Sequence, residues 1–210
     1  MASIDWDEHW REGDEPEGAR RFAVEMAARL GEFIKTREMK RFADFGCGPT
    51  TTLFELAVGF PGIQFFGYDT AASILGKNRE KAREHGLVNL HFERDVLPNP
   101  KTKEKFDVVT CFSTLHYVGD IGRAIGDLFG LMSPGDCLIF NYPNKYTRTA
   151  KRNEIDPDDE CMKRRFALVL DGKNLTSMKK IGEILGERPR RFYSSRRHNV
   201  YVAVQKRTQA

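Results

Sequence analysis

Helix-like and strand-like patterns of apolar and polar residues alternate along the chain. From Pro16 to about Arg37, large apolar residues recur every three or four positions, which predicts an amphipathic helix with Pro16 and Glu17 in its first turn. Short apolar runs bounded by Gly, Pro and charged residues predict strands over 41–45, 63–69, 88–93, 106–112 and 136–142. Such alternation is typical of an α/β fold.

Further helices and two late strands complete the pattern. Helices are predicted after Leu53 and over 71–85, 120–132 and 175–186. The segment 144–174 has a weak and charged pattern, which predicts an insertion with one helix over 158–170. The pieces 190–194 and 199–205 are β-like and could pair as a hairpin.

Length and composition fit one folded domain. The chain has 210 residues, 40% of them hydrophobic, which is enough apolar material for a single core. We divide it into an N-terminal helical cap (1–40), a core (41–142), an insertion that forms a lid (143–174) and a C-terminal part that completes the same domain (175–210). No run reaches the roughly 18 to 20 apolar residues of a membrane span, and the N-terminal residues do not resemble a signal peptide. We therefore expect a cytoplasmic protein without a membrane segment.

Cysteine and charge distribution narrow the chemistry. The four cysteines form no C-x-x-C pair and the five histidines are scattered, so we expect reduced thiols and no metal site. The formal net charge is +4, and residues 145–210 hold the excess of basic side chains. This asymmetry could attract an anionic partner, although a charged stretch is more often a solvated face.

Polar residues follow four of the predicted strands. Gly46 and Gly48 form a bend after the first strand, Asp69 and Asp95 end the second and third, and 113–117 follows the fourth. In an open parallel sheet, ligands bind at the carboxyl ends of the strands. Asp69 lies 21 residues after Gly48, the distance at which a βαβ unit returns an acid to the ribose hydroxyls of an adenosine-type cofactor. These residues together predict a cofactor site.

The same residues resemble the class I S-adenosylmethionine-dependent methyltransferases over about 42–205. The first motif of that family, acid-x-Gly-x-Gly-x-Gly, is similar to 44–50 except that Thr50 replaces the last Gly. Asp69 resembles the family's second-strand acid, and Asp95 with Val96 resembles its adenine-side pair. Residues 131–135 are similar to the Leu-x-Pro-Gly sequence before the fifth strand.

The resemblance implies a Rossmann-like doubly wound sheet, mostly parallel with an antiparallel last strand, and helices on both faces. It implies S-adenosylmethionine (SAM) as cofactor and S-adenosylhomocysteine (SAH) as product. The residues expected to bind the cofactor are Asp44, Phe45, Gly46, Cys47, Gly48, Asp69, Thr70, Asp95, Val96, Phe112, Ser113 and Trp10. Trp6 and Trp10 lie four apart, so their rings either close over the cofactor or pack beneath the first long helix.

A nicotinamide-dependent dehydrogenase is the main alternative, because it shares the glycine bend and the ribose acid. Asp44 argues against it, since the pyrophosphate of a dinucleotide needs a helix N-terminus free of negative charge. SAM carries a sulfonium and an ammonium group instead. Thr51 also stands where Gly-x-Gly-x-x-Gly has its third glycine.

The acceptor is expected to be a small molecule. His116 is the candidate general base, since it follows the fourth strand and histidine titrates near neutrality, or it merely shapes the pocket. Tyr117, Tyr142 and Tyr146 either line the acceptor site or cover it. Residues of the lid that could favour an anionic group are Lys145, Arg148, Lys151 and Arg152. A second basic cluster comprises Arg188, Arg190, Arg191, Arg196 and Arg197.

Two other functions stay open at this point. If both basic clusters lie on one surface, an RNA or protein substrate becomes plausible through phosphate contacts. No aromatic-interleaved platform for single strands is evident, so nucleic acid ranks second. A non-catalytic SAM-binding partner subunit is the third possibility.

Overall fold

A parallel sheet organises the chain, as seen in a computed structural model that describes residues 4–12, 19–49, 51–197 and 199–208. The described strands are β1 (Arg41–Phe45), β2 (Gln64–Asp69), β3 (Leu90–Arg94), β4 (Val108–Cys111), β5 (Cys137–Asn141), β6 (Arg190–Arg196) and β7 (Asn199–Gln205). Their order is β3-β2-β1-β4-β5-β7-β6. The first five are parallel, and β7 is antiparallel to both β5 and β6. The predicted fold class and the final hairpin are confirmed.

Helices alternate with the strands. The described helices are α1 (Trp6–Glu12), α2 (Ala19–Lys35), α3 (Leu53–Gly59), α4 (Ala72–Glu84), α5 (Ile121–Gly130), α6 (Lys145–Glu154), α7 (Glu160–Arg165), α8 (Ala167–Leu170) and α9 (Met178–Leu185), with a 3-10 turn at Leu115–Tyr117. Pro16 and Glu17, predicted for the first turn of α2, lie outside the described residues.

Two hydrophobic layers cover the sheet because neighbouring residues of a strand point to opposite faces. In β1, Phe42 packs with α2 and α3, whereas Ala43 packs with α5. Val108 and Val109 of β4 divide in the same way. The strand order reverses between β1 and β4, and such a switch point opens a crevice at the carboxyl ends of the strands.

The prediction of one helix between 144 and 174 is wrong, because α6, α7 and α8 all lie there. Asn144 is the N-cap of α6: its Oδ1 accepts hydrogen bonds from the backbone N–H groups of Tyr146 and Thr147 at 2.8 and 3.0 Å. The Thr147 hydroxyl accepts from the Asn144 N–H at 3.1 Å, which completes a capping box. Thr147 is the only buried residue of α6, and the helix has no large aliphatic residue to mark a buried face in the sequence.

The four cysteines are free: Cys47, Cys111 and Cys137 are buried and Cys161 is exposed. No helix in the described ranges is both long and apolar enough to cross a membrane. Within the same ranges, no three or more His, Cys, Asp or Glu side chains gather as metal ligands.

Candidate active site

A cavity of about 800 Å³ opens at the switch point, a volume in the usual range for small-ligand sites. Fourteen of the predicted site residues line it: Trp10, Asp44, Phe45, Gly46, Cys47, Gly48, Asp69, Thr70, Asp95, Val96, Phe112, Ser113, His116 and Tyr117. These residues come from the ends of β1 to β4 and from α1, so the topology brings together positions that are distant in sequence.

The glycine bend after β1 brings backbone close to this cavity. Gly46 has φ +75°, and a Cβ there would lie 1.9 Å from the Thr114 hydroxyl oxygen, so no other residue fits without displacement. Gly48 has φ +60°, and nothing within 4 Å would meet its Cβ. The bend therefore leaves open space beside Gly48 for a ligand. Thr50 lies outside the described residues.

Asp69 links the end of β2 to this bend. Its Oδ2 accepts a hydrogen bond from the Gly48 N–H at 2.9 Å, and its Oδ1 accepts from the Ala71 N–H at 3.0 Å. Burial raises the pKa of Asp69, and these backbone donors oppose that rise. Each carboxylate oxygen can accept a further bond. The side chain can thus accept two further hydrogen bonds from a ligand.

Asp44 is a buried carboxylate, 4% exposed, that faces the cavity from β1. The hydroxyls of Thr110 and Thr51 donate to it at 2.8 and 3.3 Å. Burial, with a smaller contribution from the negative charge of Asp69, raises the pKa of Asp44 to about 6. None of the ion pairs among the described residues includes Asp44. A cationic ligand would therefore stabilise its ionised form.

Asp95 shapes the loop after β3. Its carboxylate accepts hydrogen bonds from the backbone N–H groups of Val96, Lys101 and Thr102 at 2.8 to 3.0 Å. The side chain is buried, whereas Val96 is 45% exposed. The loop is thus held by Asp95 and presents Val96 at the cavity wall.

The environment of His116 differs from the one that its position in the sequence suggested. It is 8% exposed, its Nδ1 has no hydrogen-bond partner, and burial together with the charge of Lys151 lowers its pKa to about 4. The premise that His116 titrates near neutrality is therefore wrong, because its imidazole is neutral and weakly basic at pH 7. Asn174 fixes this turn by donating from Nδ2 to the carbonyls of Leu115, His116 and Val118 at 2.9 to 3.2 Å.

Of the three predicted acceptor-site tyrosines, only Tyr117 lines the main cavity. Tyr142 and Tyr146 line a second cavity of about 630 Å³. The reason is strand alternation: Asn141 at the end of β5 points into the main cavity, so Tyr142 points to the opposite side. The expectation that Tyr142 and Tyr146 line or cover the main cavity is corrected.

Asn141 and Asn199 are site residues that no motif indicated. The Oδ1 of Asn141 accepts a hydrogen bond from the Ser113 N–H at 2.6 Å. The Nδ2 of Asn141 donates to the Oδ1 of Asn199 at 3.4 Å. Ser113 has a left-handed backbone with φ +57°. The only available signal was their position at the ends of β5 and β7, on the edge where ligands bind.

The basic residues divide between several places. Arg148 and Arg152 donate to the Leu170 carbonyl at 2.9 and 3.3 Å, so they tie α6 to α8 rather than face a ligand. Lys151 lines the main cavity. The basic residues that line the second cavity are Lys145, Lys180, Arg191 and Arg197. The two predicted basic clusters therefore meet in part, at the second cavity and not at the main one.

Helix α1 covers the main cavity. Asp7 accepts a hydrogen bond from the Ser73 N–H at 2.8 Å, which joins α1 to the start of α4. The ring of Trp6 lies 4.8 Å from that of Tyr117 between centroids, and both tryptophans line the cavity. Of the two alternatives for these rings, the geometry matches closure over the site.

Residues 37–185, more than half of the chain, match the family described as "Methyltransferase domain", and the chain belongs to that family. It is 27% identical over 135 residues to the malonyl-[acyl-carrier protein] O-methyltransferase of Legionella pneumophila, covering 62% of this chain and 46% of that protein. It is 30% identical over 120 residues to the demethylmenaquinone methyltransferase of Thermus thermophilus, covering 57% and 51%. The chain thus spans about half the length of these curated relatives.

A solved structure shares the fold over nearly the whole chain. The magnesium protoporphyrin IX methyltransferase of Synechocystis with bound SAH aligns with a TM-score of 0.65 and 18% identity. The alignment covers 95% of this chain and 93% of that one. The Rossmann-like arrangement of the sheet is therefore common to both proteins.

Proposed function

We propose that this protein is an enzyme that transfers a methyl group from SAM to a small-molecule acceptor. The observation that carries the proposal is the convergence of the glycine bend, Asp44 and Asp69 on one cavity at the switch point of the sheet. SAM, when bound, supplies a methyl group on a sulfonium centre. Family membership and the names of the relatives support the same reaction class.

The donor half of the cavity offers a partner for each part of SAM. Asp69 would accept from the ribose hydroxyls, and Val96 on the loop held by Asp95 would border the adenine. The backbone of 45–48 would run along the methionyl part, with Phe112 and Ser113 near its amino group. Thr70 lies beside Asp69 and would contribute to the same wall.

The charge of this half favours SAM over a dinucleotide. Asp44 and Asp69 both line it. Beyond the effect of burial, the negative charge of Asp69 raises the pKa of Asp44, and both carboxylates raise the pKa of the buried Cys47 thiol. A pyrophosphate would add further negative charge beside them. A sulfonium and an ammonium group would neutralise it instead.

The protein's contribution to transfer is positioning and exclusion of water. Holding two reacting groups in line can lower a barrier by roughly 7 to 11 kcal/mol. Trp6 and Trp10 of α1 would close the cavity over both reactants, and we propose that the segment 143–174 forms the other side of this cover. His116 has a pKa of about 4, so it is not poised to take a proton at pH 7 and we assign it a role in shaping the pocket.

A small-molecule acceptor is favoured over RNA or a protein. The basic residues needed for phosphate contacts mostly line the second cavity or tie helices together, away from the donor half. A non-catalytic binding subunit would need no room beyond the donor, yet the cavity extends to His116, Tyr117 and α7. We also propose a cytoplasmic location, because four free thiols suit a reducing compartment.

Thermal unfolding with and without SAM or SAH tests the proposal. Either ligand should raise the melting temperature, because a ligand selective for the native state stabilises it by mass action. Asp69→Asn should abolish most of that rise. Asp107→Asn is the matched control: Asp107 also accepts from two backbone N–H groups, of Lys40 and Arg41, but lies outside the cavity.

The control variant should keep the full ligand-induced rise even if its own melting temperature falls. An Asp69→Asn variant that responds to SAH as strongly as Asp107→Asn would remove Asp69 from the ribose site. A wild-type protein that is indifferent to SAM and SAH but stabilised by NAD would contradict the proposed function itself.

A further inference from the structure

The two ends of the main cavity carry opposite charge. At the donor end stand the carboxylates Asp44, Asp69 and Asp95. At the other end stand Lys151 of α6 and Arg165 of α7, and among the described residues Glu154 is the one nearby acid that lines the cavity. Glu154 pairs with Lys151, whose Nζ lies 2.9 Å from its Oε2. Within the described part of the chain, the charge left without a carboxylate partner at this end is that of Arg165.

Arg165 is held by aromatic rings and not by a carboxylate. Its Nε donates to the Tyr117 hydroxyl oxygen at 3.1 Å, and its guanidinium carbon lies 5.4 to 5.7 Å from the ring centroids of Trp10, Tyr117 and Phe166. No ion pair involves it among the described residues. A guanidinium has five N–H donors in a planar fork, so most of its donors are available to a ligand.

Tyr117 adds a second donor at the same place. Burial raises the pKa of Tyr117, so its phenol is neutral at pH 7. Its oxygen already accepts from Arg165, and its own O–H is then directed elsewhere. A guanidinium fork beside a phenol O–H matches the two oxygens of a carboxylate, which prefers a bidentate partner.

The same end of the cavity is poor in bases. An amine, phenol or alcohol must lose a proton during methylation, and a positioned base usually takes it. Of the described lining residues at this end, the candidates are His116, whose imidazole is weakly basic, and Glu154, which is paired with Lys151. A carboxylate is already ionised at neutral pH and needs no base.

From this geometry we propose, as a refinement that rests on the proposed function, that the acceptor is a carboxylic acid and that Arg165 binds its carboxylate. One carboxylate oxygen forms a bond to the methyl carbon of SAM while the carbon–sulfur bond breaks. The electron pair of that bond stays on sulfur, which becomes the neutral thioether of SAH. The product is a neutral methyl ester, and no proton is transferred.

The first test measures binding without turnover. The protein is loaded with SAH and titrated with aliphatic and aromatic carboxylic acids, each beside its own amide, while tryptophan fluorescence is recorded. Trp6 and Trp10 are the only tryptophans of the chain and both line the cavity. The best-bound acid should bind at least about tenfold more tightly than its amide, because a charge-assisted hydrogen bond is lost with the amide.

Three variants assign the effect to one residue. Arg165→Gln should weaken binding of the acid roughly 10- to 100-fold and leave binding of the amide unchanged. Arg164→Gln removes the same charge from the next position, which is exposed and does not line the cavity, and should bind the acid as the wild type does. Arg165→Lys, which keeps the charge but not the fork, should give an intermediate affinity.

The second test identifies the product. The protein is incubated with methyl-labelled SAM and a small-molecule cell extract, and the labelled product is treated with mild alkali. A methyl ester releases its label as volatile methanol, whereas N-methyl, C-methyl and aryl ether groups retain it. Release of the label, together with an increased KM for the acceptor in Arg165→Gln, is the expected result.

The outcomes separate the two proposals. Label that withstands alkali, or equal binding of acids and amides by SAH-loaded protein, overturns the carboxylate assignment and leaves methyl transfer intact. Failure of SAH to bind at all, measured by calorimetry before either test, overturns the proposed function instead.

Discussion

Asp44 is a costly residue of the proposed donor site. It is a buried carboxylate whose pKa is raised from 3.8 to about 6, so at pH 7 the folded state holds a charge that water would solvate better. Two threonine hydroxyls compensate only in part. We infer that the charge is retained for the cation of SAM, since a site under functional constraint is often less stable than it could be.

Replacing Asp44 by Asn should therefore stabilise the free protein. At pH 7 the free energy of unfolding should rise by on the order of 2 to 3 kcal/mol, because the neutral amide avoids the desolvation of the charge. Calorimetry should show SAM binding weakened by at least tenfold. Urea denaturation at pH 7 and at pH 4 provides the control, since Asp44 is protonated in the folded state at pH 4 and most of the gain should disappear. A loss of stability at pH 7 would contradict this account.

The residues of the donor site could be predicted from sequence because they lie within a few positions of each strand end. Gly46, Gly48 and Asp69 belong to a local spacing that a βαβ unit fixes. Arg165 escaped prediction for the opposite reason, since it reaches the cavity only after α7 has packed near α1 and Tyr117. Asn141 also stands at a strand end, but it belongs to no motif that would have marked it. The shift in the pKa of His116 also depends on burial, which no local pattern reveals.

At the scale of elements, the strands were predictable and the segment after β5 was not. Strands β4 and β5 are buried at every position, so they read as continuous apolar runs. Helix α6 depends on its cap and on contacts of its charged side chains with α8, and it has no large aliphatic residue that would reveal a buried face. Its N-cap Asn144 was a weak sequence signal, because Thr147 stands where a capping box usually has Glu or Gln.

Asn174, which follows α8, holds the 3-10 turn at Leu115–Tyr117 in place beside the cavity. It is 2% exposed, and its Nδ2 bonds three carbonyls of the turn that carries His116 and Tyr117. Asn174→Leu keeps the approximate volume but removes the donor. We expect the free energy of unfolding to fall by about 2 to 4 kcal/mol, because buried carbonyls lose their partner.

Chemical denaturation of Asn174→Leu beside Asn153→Leu checks this expectation. Asn153 is exposed on α6, so its replacement should change the free energy of unfolding by less than about 0.5 kcal/mol. SAH affinity of the folded Asn174 variant should stay near that of the wild type, since Asn174 does not line the cavity. Equal stability of the two variants would show that the turn is held by other contacts.

At the scale of the whole molecule, two buried groups in one cavity give stability opposite dependences on pH. The pKa of Asp44 is raised to about 6, so the folded state binds more protons than the unfolded state between about pH 4 and 6, and stability falls as pH rises. The pKa of His116 is lowered to about 4, so the unfolded state binds more protons between about pH 4 and 6.5, and stability rises with pH. The two effects largely cancel in the wild type.

Removing one group should therefore reveal the other. The quantity compared is the free energy of unfolding of each variant minus that of the wild type. For His116→Asn this difference should be higher at pH 5 than at pH 7 by roughly 1 to 2 kcal/mol, and for Asp44→Asn it should be lower by a similar amount. Urea denaturation of both single variants and the double variant, in steps from pH 4.5 to 7, measures these differences. The double variant should return to the pH profile of the wild type, since it lacks both of these opposing titrations. Parallel pH profiles for the two single variants would mean that at least one of these groups is solvated in the folded protein.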